Sequence, residues 1–91
     1  MAYESKNLSV LAYANGFTLW HYTTTDLNTQ VDDVSYFDDA ADMLRVGDMV
    51  MANTDTGEGG TPIAALYAVA SNDGTTVDLT DMTQIGVLNS D

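Results

Sequence analysis

Two segments of this chain, Phe17–Thr24 (FTLWHYTT) and Ala64–Asp81 (AALYAVASNDGTTVDLTD), read as strands that are apolar on both faces. A typical exposed sheet is apolar on one face only, with polar residues alternating onto the other. In the first segment Phe17, Leu19 and His21 share one face, while Trp20 and Tyr22 share the other with Thr18 and Thr24. A chain of 91 residues makes one domain and buries only roughly 60–65% of the surface its unfolded form exposes. That is too little to cover so many apolar faces, so the expectation is a chain that works as a piece of something larger.

The block Tyr36–Asn53 (YFDDAADMLRVGDMVMAN) reads as a short helix running straight into a strand. Ser35 stands as its N-cap, with Asp38 three residues later in a spacing like that of a capping box. Asp38 and Asp39 sit where the positive end of a helix dipole favours anions, and Arg45 sits near the negative end. Phe37, Ala40, Ala41 and Leu44 recur at three- and four-residue spacing, so one face, including Leu44, is expected inside. Gly47 is expected at positive φ, ending the helix, with the Arg45 side chain on helix-terminal carbonyls or a nearby Asp. The strand resumes over Asp48–Asn53, with Met49 and Met51 on one side and Val50 and Ala52 on the other.

The other elements are set by turn chemistry. Leu8–Ala14 and Phe17–Thr24 flank Asn15-Gly16, a dipeptide suited to a two-residue type I′ hairpin turn, or alternatively to the C-cap of a short first helix. Thr23–Gln30 is polar and reads as a loop, Val31–Val34 as a short strand, and the glycine-rich Asp55–Pro62 as a loop. Ile63–Ser71 and Thr75–Asp81 form a second hairpin around Asn72-Asp73-Gly74, its last strand wet on one face. Residues 1–7 read as a flexible arm. Met82–Asp91 carries Ile85, Val87 and Leu88 and reads as a tail that docks. The expected fold is mainly β with one short α-helix, a small antiparallel sandwich or barrel-like domain built from hairpins and filling 1–91.

Fourteen acidic residues face only Lys6 and Arg45, a formal net charge of −12. Nucleic-acid binding begins with phosphate neutralisation by clustered Lys and Arg, and that equipment is missing. Anionic membrane surfaces are disfavoured for the same reason. Disorder is the ordinary reading of an acidic chain, but 45% hydrophobic content and regular apolar patterning argue against it. The acids are expected on a solvated outer face that keeps particles dispersed. No apolar run approaches the roughly 20 residues of a membrane span, and the start MAYESKN lacks an export signal, so synthesis in the cytoplasm is expected.

The inventory for chemistry is short. There is no Cys, and His21 is the only histidine, expected as a packed, hydrogen-bonded imidazole in a strand rather than a catalytic base. Asp55-Thr56-Gly57 matches the active-site triplet of aspartic proteases, which would need a dimer sharing one proton between two carboxyls. Its neighbours Thr54, Glu58 and Gly59 depart from that family's pattern, so the match reads as a loop by chance. Gly57-Glu58-Gly59-Gly60 lacks the lysine and hydroxyl of a phosphate loop. Asp32, Asp33, Asp38 and Asp39 are dense enough to hold a hard cation, but without calcium-loop spacing. The expectation is no enzyme, no cofactor and no metal.

The aromatic and Met side chains carry more. Interface centres are enriched in Tyr, Trp, Phe and Met and depleted of charge. On that ground Trp20, Tyr22, Tyr36, Phe37, Met49, Met51 and Tyr67 are candidate contacts with a neighbouring subunit, and Asn15, Gly16, Gly47, Asp73 and Gly74 are the turns that place them. The ordinary alternative is a mixed core with stray surface rings.

The succession NGFTLWHYTTTD, SYFDDAADMLRVGDMVMAN and ALYAVASNDGTTVDLTD resembles a group of small proteins encoded among the structural genes of tailed bacteriophages. The shared elements are the strand Gly16–Thr23, the helix-to-strand turn Tyr36–Asp48, and the hairpin around Asp73-Gly74, together covering roughly residues 8–86. They are architectural motifs without a chemical signature. The resemblance implies a virion accessory: a capsid decoration or cement protein first, and otherwise a head-spike, fibre or tail component. It would be a homo-oligomer, with a trimer favoured where three-fold positions are occupied, and its partner would be the major capsid protein or another virion protein. The scarcity of Lys and Arg fits the outside of the capsid, away from packaged DNA.

Overall fold

A computed structural model describes residues 3–86. Six strands form one sheet: β1 (Leu8–Ala14), β2 (Phe17–Thr23), β3 (Met49–Thr54), β4 (Ile63–Asn72), β5 (Val77–Leu79) and β6 (Thr83–Ile85). The order is β1-β2-β3-β4, with β5 and β6 both pairing β4 at different ends. The domain is therefore mostly β with one short helix, as expected. Within that class the sheet is single and mixed, and its second layer is built of helix and turns rather than of another sheet.

The hairpin reading of Asn15-Gly16 is the one the structure adopts. Asn15 at φ 53° and Gly16 at φ 79° supply the two positive angles of a type I′ turn, and β1 pairs β2 antiparallel around it. Leu11 is an extra residue where the register slips between Val10 and Ala12. The second expected hairpin joins β4 to β5. Asp73 closes it by accepting the backbone N–H groups of Thr75 and Thr76 at 2.9 and 2.8 Å, bonds that hold its carboxyl below its usual range, Thr76 contributing most.

β2 and β3 pair in parallel, from Leu19↔Met49 to Thr23↔Asn53. A parallel pair cannot be joined by a tight turn; the chain must travel back across one face of the sheet. Residues 24–48 make that crossover; of its apolar side chains Leu27, Val34, Met43 and Val46 are exposed, while Val31, Phe37, Ala40 and Leu44 are buried. Facing them from the sheet are Trp20, Tyr22, Val50, Ala52, Ala65, Tyr67, Val69, Val77 and Leu79, which with the crossover make one core.

The helix lies elsewhere than the sequence suggested. The α-helix, α1, is Asn28–Val31, inside the stretch expected as loop and short strand. Its first turn is held by Gln30 Oε1 accepting the Leu27 N–H at 2.9 Å. The expected helix after Ser35 is a 3-10 turn at Asp38–Ala40 followed by further turns. Ser35 is at φ 79°, which takes it out of the capping geometry. Its N–H instead bonds the Val77 carbonyl at 3.0 Å, and Asp38 Oδ1 accepts the Val77 N–H at 2.9 Å. Bonding to β5 thus replaced the bonds of a regular helix. The apolar spacing survives, because Phe37, Ala40 and Leu44 still face the core.

The crossover ends on one buried carboxyl. Asp48 is 1% exposed. Its Oδ1 accepts the Thr18 N–H at 3.1 Å, and its Oδ2 accepts Trp20 Nε1–H at 3.2 Å and the Arg45 N–H at 3.1 Å. One side chain thereby joins the end of the crossover to the start of β2. The carbonyls of Ala41 and Leu44 are met by the Asn72 amide, in the place where the Arg45 side chain was expected. Gly47 has φ 95°, as the turn requires.

At the N-terminus, Tyr3 is not part of a free arm: its ring stacks on Tyr22 with centroids 5.7 Å apart and lies 5.2 Å from Phe37. At the other end β6 docks on β4, while the rest of the expected docking tail, 87–91, lies outside the described residues.

Two substitutions test this frame. Asp48→Ala strands the buried N–H groups of Thr18 and Trp20 at about 1–3 kcal/mol each and frees the part-buried Arg45 N–H, so urea denaturation should show a loss of about 2 kcal/mol or more; Asp48→Asn should lose less. Gly47→Val should cost about 1–3 kcal/mol. Since nothing lies within 4 Å of a Cβ placed at Gly47, that cost is one of backbone conformation and Gly47→Ala should share it.

Candidate interaction surface

The charges of this chain are segregated. β1, β2, β3, β4 and β6 contain no Asp, Glu, Lys or Arg, and Asp78 of β5 is the only charged residue in any strand. The acids lie in the crossover, the loops and the termini. The sheet carries its crossover on one face, so the opposite face of β1, β2, β3, β4 and β6 is uncharged; Asp78, between the core residues Val77 and Leu79, is the one strand carboxyl that alternates away from the core.

Among the described residues nothing covers that second face. Pairing aligns its side chains in rows: Ala12, Leu19, Met49 and Ala68 in one; Ser9, His21, Met51, Leu66 and Thr83 in the next; then Thr23, Asn53, Ala64 and Ile85. Phe17 extends the apolar end. None of these residues is buried; Leu19, Met51, Leu66 and Ala68 are half-buried by their neighbours alone, and Met49 is 39% exposed. His21 sits among them, its Nε2 accepting from Asn53 Nδ2 at 3.0 Å, since an amide nitrogen only donates. Beyond this face, β1 overhangs the domain, with Val10, Leu11 and Tyr13 more than half exposed.

The seven residues expected at an interface divide cleanly. Met49 and Met51 lie on the open face. Trp20, Tyr22, Phe37 and Tyr67 fill the core of the domain itself. Tyr36 is half-buried and belongs to a relay: the Glu4 N–H bonds Tyr22 Oη at 3.0 Å, Tyr22 Oη–H meets Tyr36 Oη at 2.9 Å, and Tyr36 donates to Asp26 Oδ2 at 2.6 Å. Burial first, then those bonds to Asp26 and Tyr22, raise the Tyr36 hydroxyl well above its ordinary pKa. Tyr67, raised chiefly by burial and then by Asp32, donates to the Asn28 carbonyl. The rings are structural because the crossover needed partners. Leu19, Leu66, Ala68 and Phe17 are the surface residues sequence reading passed over; the signal for them was the run of strands without a single charge.

Asp55 has φ 56° at the end of β3, and its carboxyl accepts the Thr61 N–H at 3.0 Å, closing the glycine-rich loop. Among the described residues no group of three His, Asp or Glu is placed to hold a metal ion, and no helix is long and apolar enough to cross a membrane. Comparison with models of protein families, with curated proteins and with solved structures finds no match.

The acidic layer opposite has a measurable signature. Burial, followed by the fields of Asp81, Asp33 and Asp78, raises the Asp32 carboxyl above its usual range. The folded chain then binds that proton more tightly than the unfolded chain does. Its contribution to stability is present below the usual carboxylate pKa of about 3.9 and lost as pH rises through the raised value. At neutral pH the ionised Asp32 therefore opposes folding. Asp32→Asn should melt at a higher temperature than the parent at neutral pH, with the difference closing as pH falls towards 4 and as salt is added. Equal melting at neutral pH and low salt would show that Asp32 feels no such field.

Proposed function

We propose that this chain is a non-enzymatic structural subunit of a tailed-phage particle, a decoration or cement protein held on the outside of the major capsid lattice as a homo-oligomer. The observation that carries the reading is the segregation of charge. A sheet with an uncharged open face and an exposed β1 margin is suited to meeting protein. A layer rich in Asp on the other side is suited to facing water and to keeping large particles apart.

The motifs Gly16–Thr23, Tyr36–Asp48 and Asp73-Gly74 support the phage setting through their resemblance to virion accessories. The shortage of basic residues supports the outer surface, where no packaged DNA must be neutralised. Internal work for the groups that chemistry would need supports the non-enzymatic part. The Asp26 carboxyl accepts from Tyr36, the Asp48 carboxyl from three N–H groups, the Asp55 carboxyl from Thr61, and the imidazole from Asn53.

Quantitative mass spectrometry of purified particles from the genome that encodes the chain tests this directly. The chain should be present in a fixed ratio to the major capsid protein, and particles made without it should take up added protein and resist heat better. Absence from particles, together with no uptake, would overturn the proposal; presence in a ratio set by the tail would move it from the capsid to a tail or fibre position.

A further inference from the structure

We infer that the uncovered sheet face is where two copies of this chain meet, face to face about a two-fold axis. The inference rests on the geometry of the sheet and would stand for a free protein as well as for a virion component.

Topology leaves the face bare. Among the described residues only one connection is long enough to cover a sheet, and the parallel pairing of β2 with β3 commits it to the other side. The remaining connections are hairpin turns, the three residues 80–82 between β5 and β6, and the loop 55–62, which closes on itself through Asp55 and Thr61. Nothing among the described residues buries Leu19, Met49, Met51 or Leu66.

Electrostatics then selects the occupant. A cationic partner would be drawn to the acidic layer, and a partner with charges across its contact would have to strip them of water against Leu and Met. What suits this face is another uncharged, gently twisted sheet, and the chain's own copy presents one. Two chains of net charge −12 repel, but face-to-face stacking puts both acidic layers on the outside. With about 10 Å for each of the three spacings between four stacked layers, they stand roughly 30 Å apart, several times the Debye length of about 8 Å at physiological salt.

Shape and size agree. Neighbouring strands present long, adaptable Met49 beside the small Ala68, with Met51 beside Leu66, so a two-fold axis can set a methionine of each copy over an alanine of the other. Five strand columns about 4.8 Å apart and about six residues of about 3.3 Å each give a patch on the order of 500 Å² in projection. Ser9, His21, Thr23, Asn53 and Thr83 make part of it polar, so its apolar area is within the range monomers expose, while the pleated accessible surface of the whole face approaches the roughly 800 Å² per partner of a standard interface. Pairing here leaves the β1 margin, with Val10, Leu11 and Tyr13, free for a different contact.

Sedimentation and light scattering of the purified chain test the inference. The parent should run at twice its 9.8 kDa. Met49→Glu places a charge on an already exposed position and should weaken association on the order of 100-fold or more while leaving the far-UV spectrum and the monomer's cooperative melting intact. Ala68→Glu should do the same if Met49→Glu perturbs folding. Val46→Glu, 63% exposed on the opposite layer, should leave the dimer unchanged. The chain has no Cys, so single cysteines at Met51 and at Val46 can be joined by a short bismaleimide, which should link the first pair and not the second. A monomer at millimolar concentration, an oligomer indifferent to both open-face charges, or linkage through Val46 would each overturn it. These readings use the free chain, so they can fail while particle incorporation succeeds, and the reverse.

Discussion

The parallel pairing of β2 with β3 is the constraint on which the rest of this structure depends. It obliges residues 24–48 to return over the sheet, and so decides which face becomes the core and which stays bare. The crossover is pinned where it ends, because the Asp48 carboxyl takes N–H groups from Thr18, Trp20 and Arg45 at once. It is tied along its length by Ser35 and Asp38 to Val77 and by Ala41 and Leu44 to Asn72. These are bonds between distant parts of the chain, so local helix propensity had little say in the crossover's form.

That explains which elements were legible in the sequence. The first hairpin was, because Asn15-Gly16 dictates its own geometry. The alternation in β2 and β3 and the positive φ of Gly47 were, because each follows from a period of two or from one residue's steric freedom. The helix after Ser35 was not. Its capping signals were genuine in type, but Asp38 found a better-placed donor in Val77, 39 residues on in the chain. Nor was the parallel register legible, since apolar runs such as MVMAN look the same beside a parallel or an antiparallel neighbour. The surface was legible in part: Met49 and Met51 stood out, whereas Trp20, Tyr22, Phe37 and Tyr67 were needed inside. An aromatic in a strand with two apolar faces cannot be assigned to core or surface until it is known which face the crossover takes.

Charge and packing divide the labour. The core layer tolerates many acids because they sit on its outer side, and where they crowd, as Asp32 does with Asp81, Asp33 and Asp78, the fold bears a cost that low pH removes. One group of interior polar atoms forms a hydrogen-bonded chain instead, although the buried hydroxyls of Tyr3 and Thr54 have no partner among the described residues. The relay from Glu4 through Tyr22 and Tyr36 to Asp26 gives each hydroxyl both a donor and an acceptor. It also holds the rings of Tyr22, Tyr36 and Phe37 edge to face at 5.0–6.1 Å.

The extra residue in β1 has a bearing on growth. Strands without charged gatekeepers ordinarily invite chain after chain to add at the sheet's edges and propagate as a fibre. Here one margin is broken at Leu11, where the ladder slips by a residue between Val10 and Ala12. The other is capped by β5 and β6, three residues each, too short to template a long partner. Extension within the plane of the sheet is therefore interrupted at both ends, and only the flat of the sheet is left as a regular surface. Contacts made there by two-fold symmetry close on themselves, so strands without charged gatekeepers are steered towards a finite pair and away from an open-ended fibre.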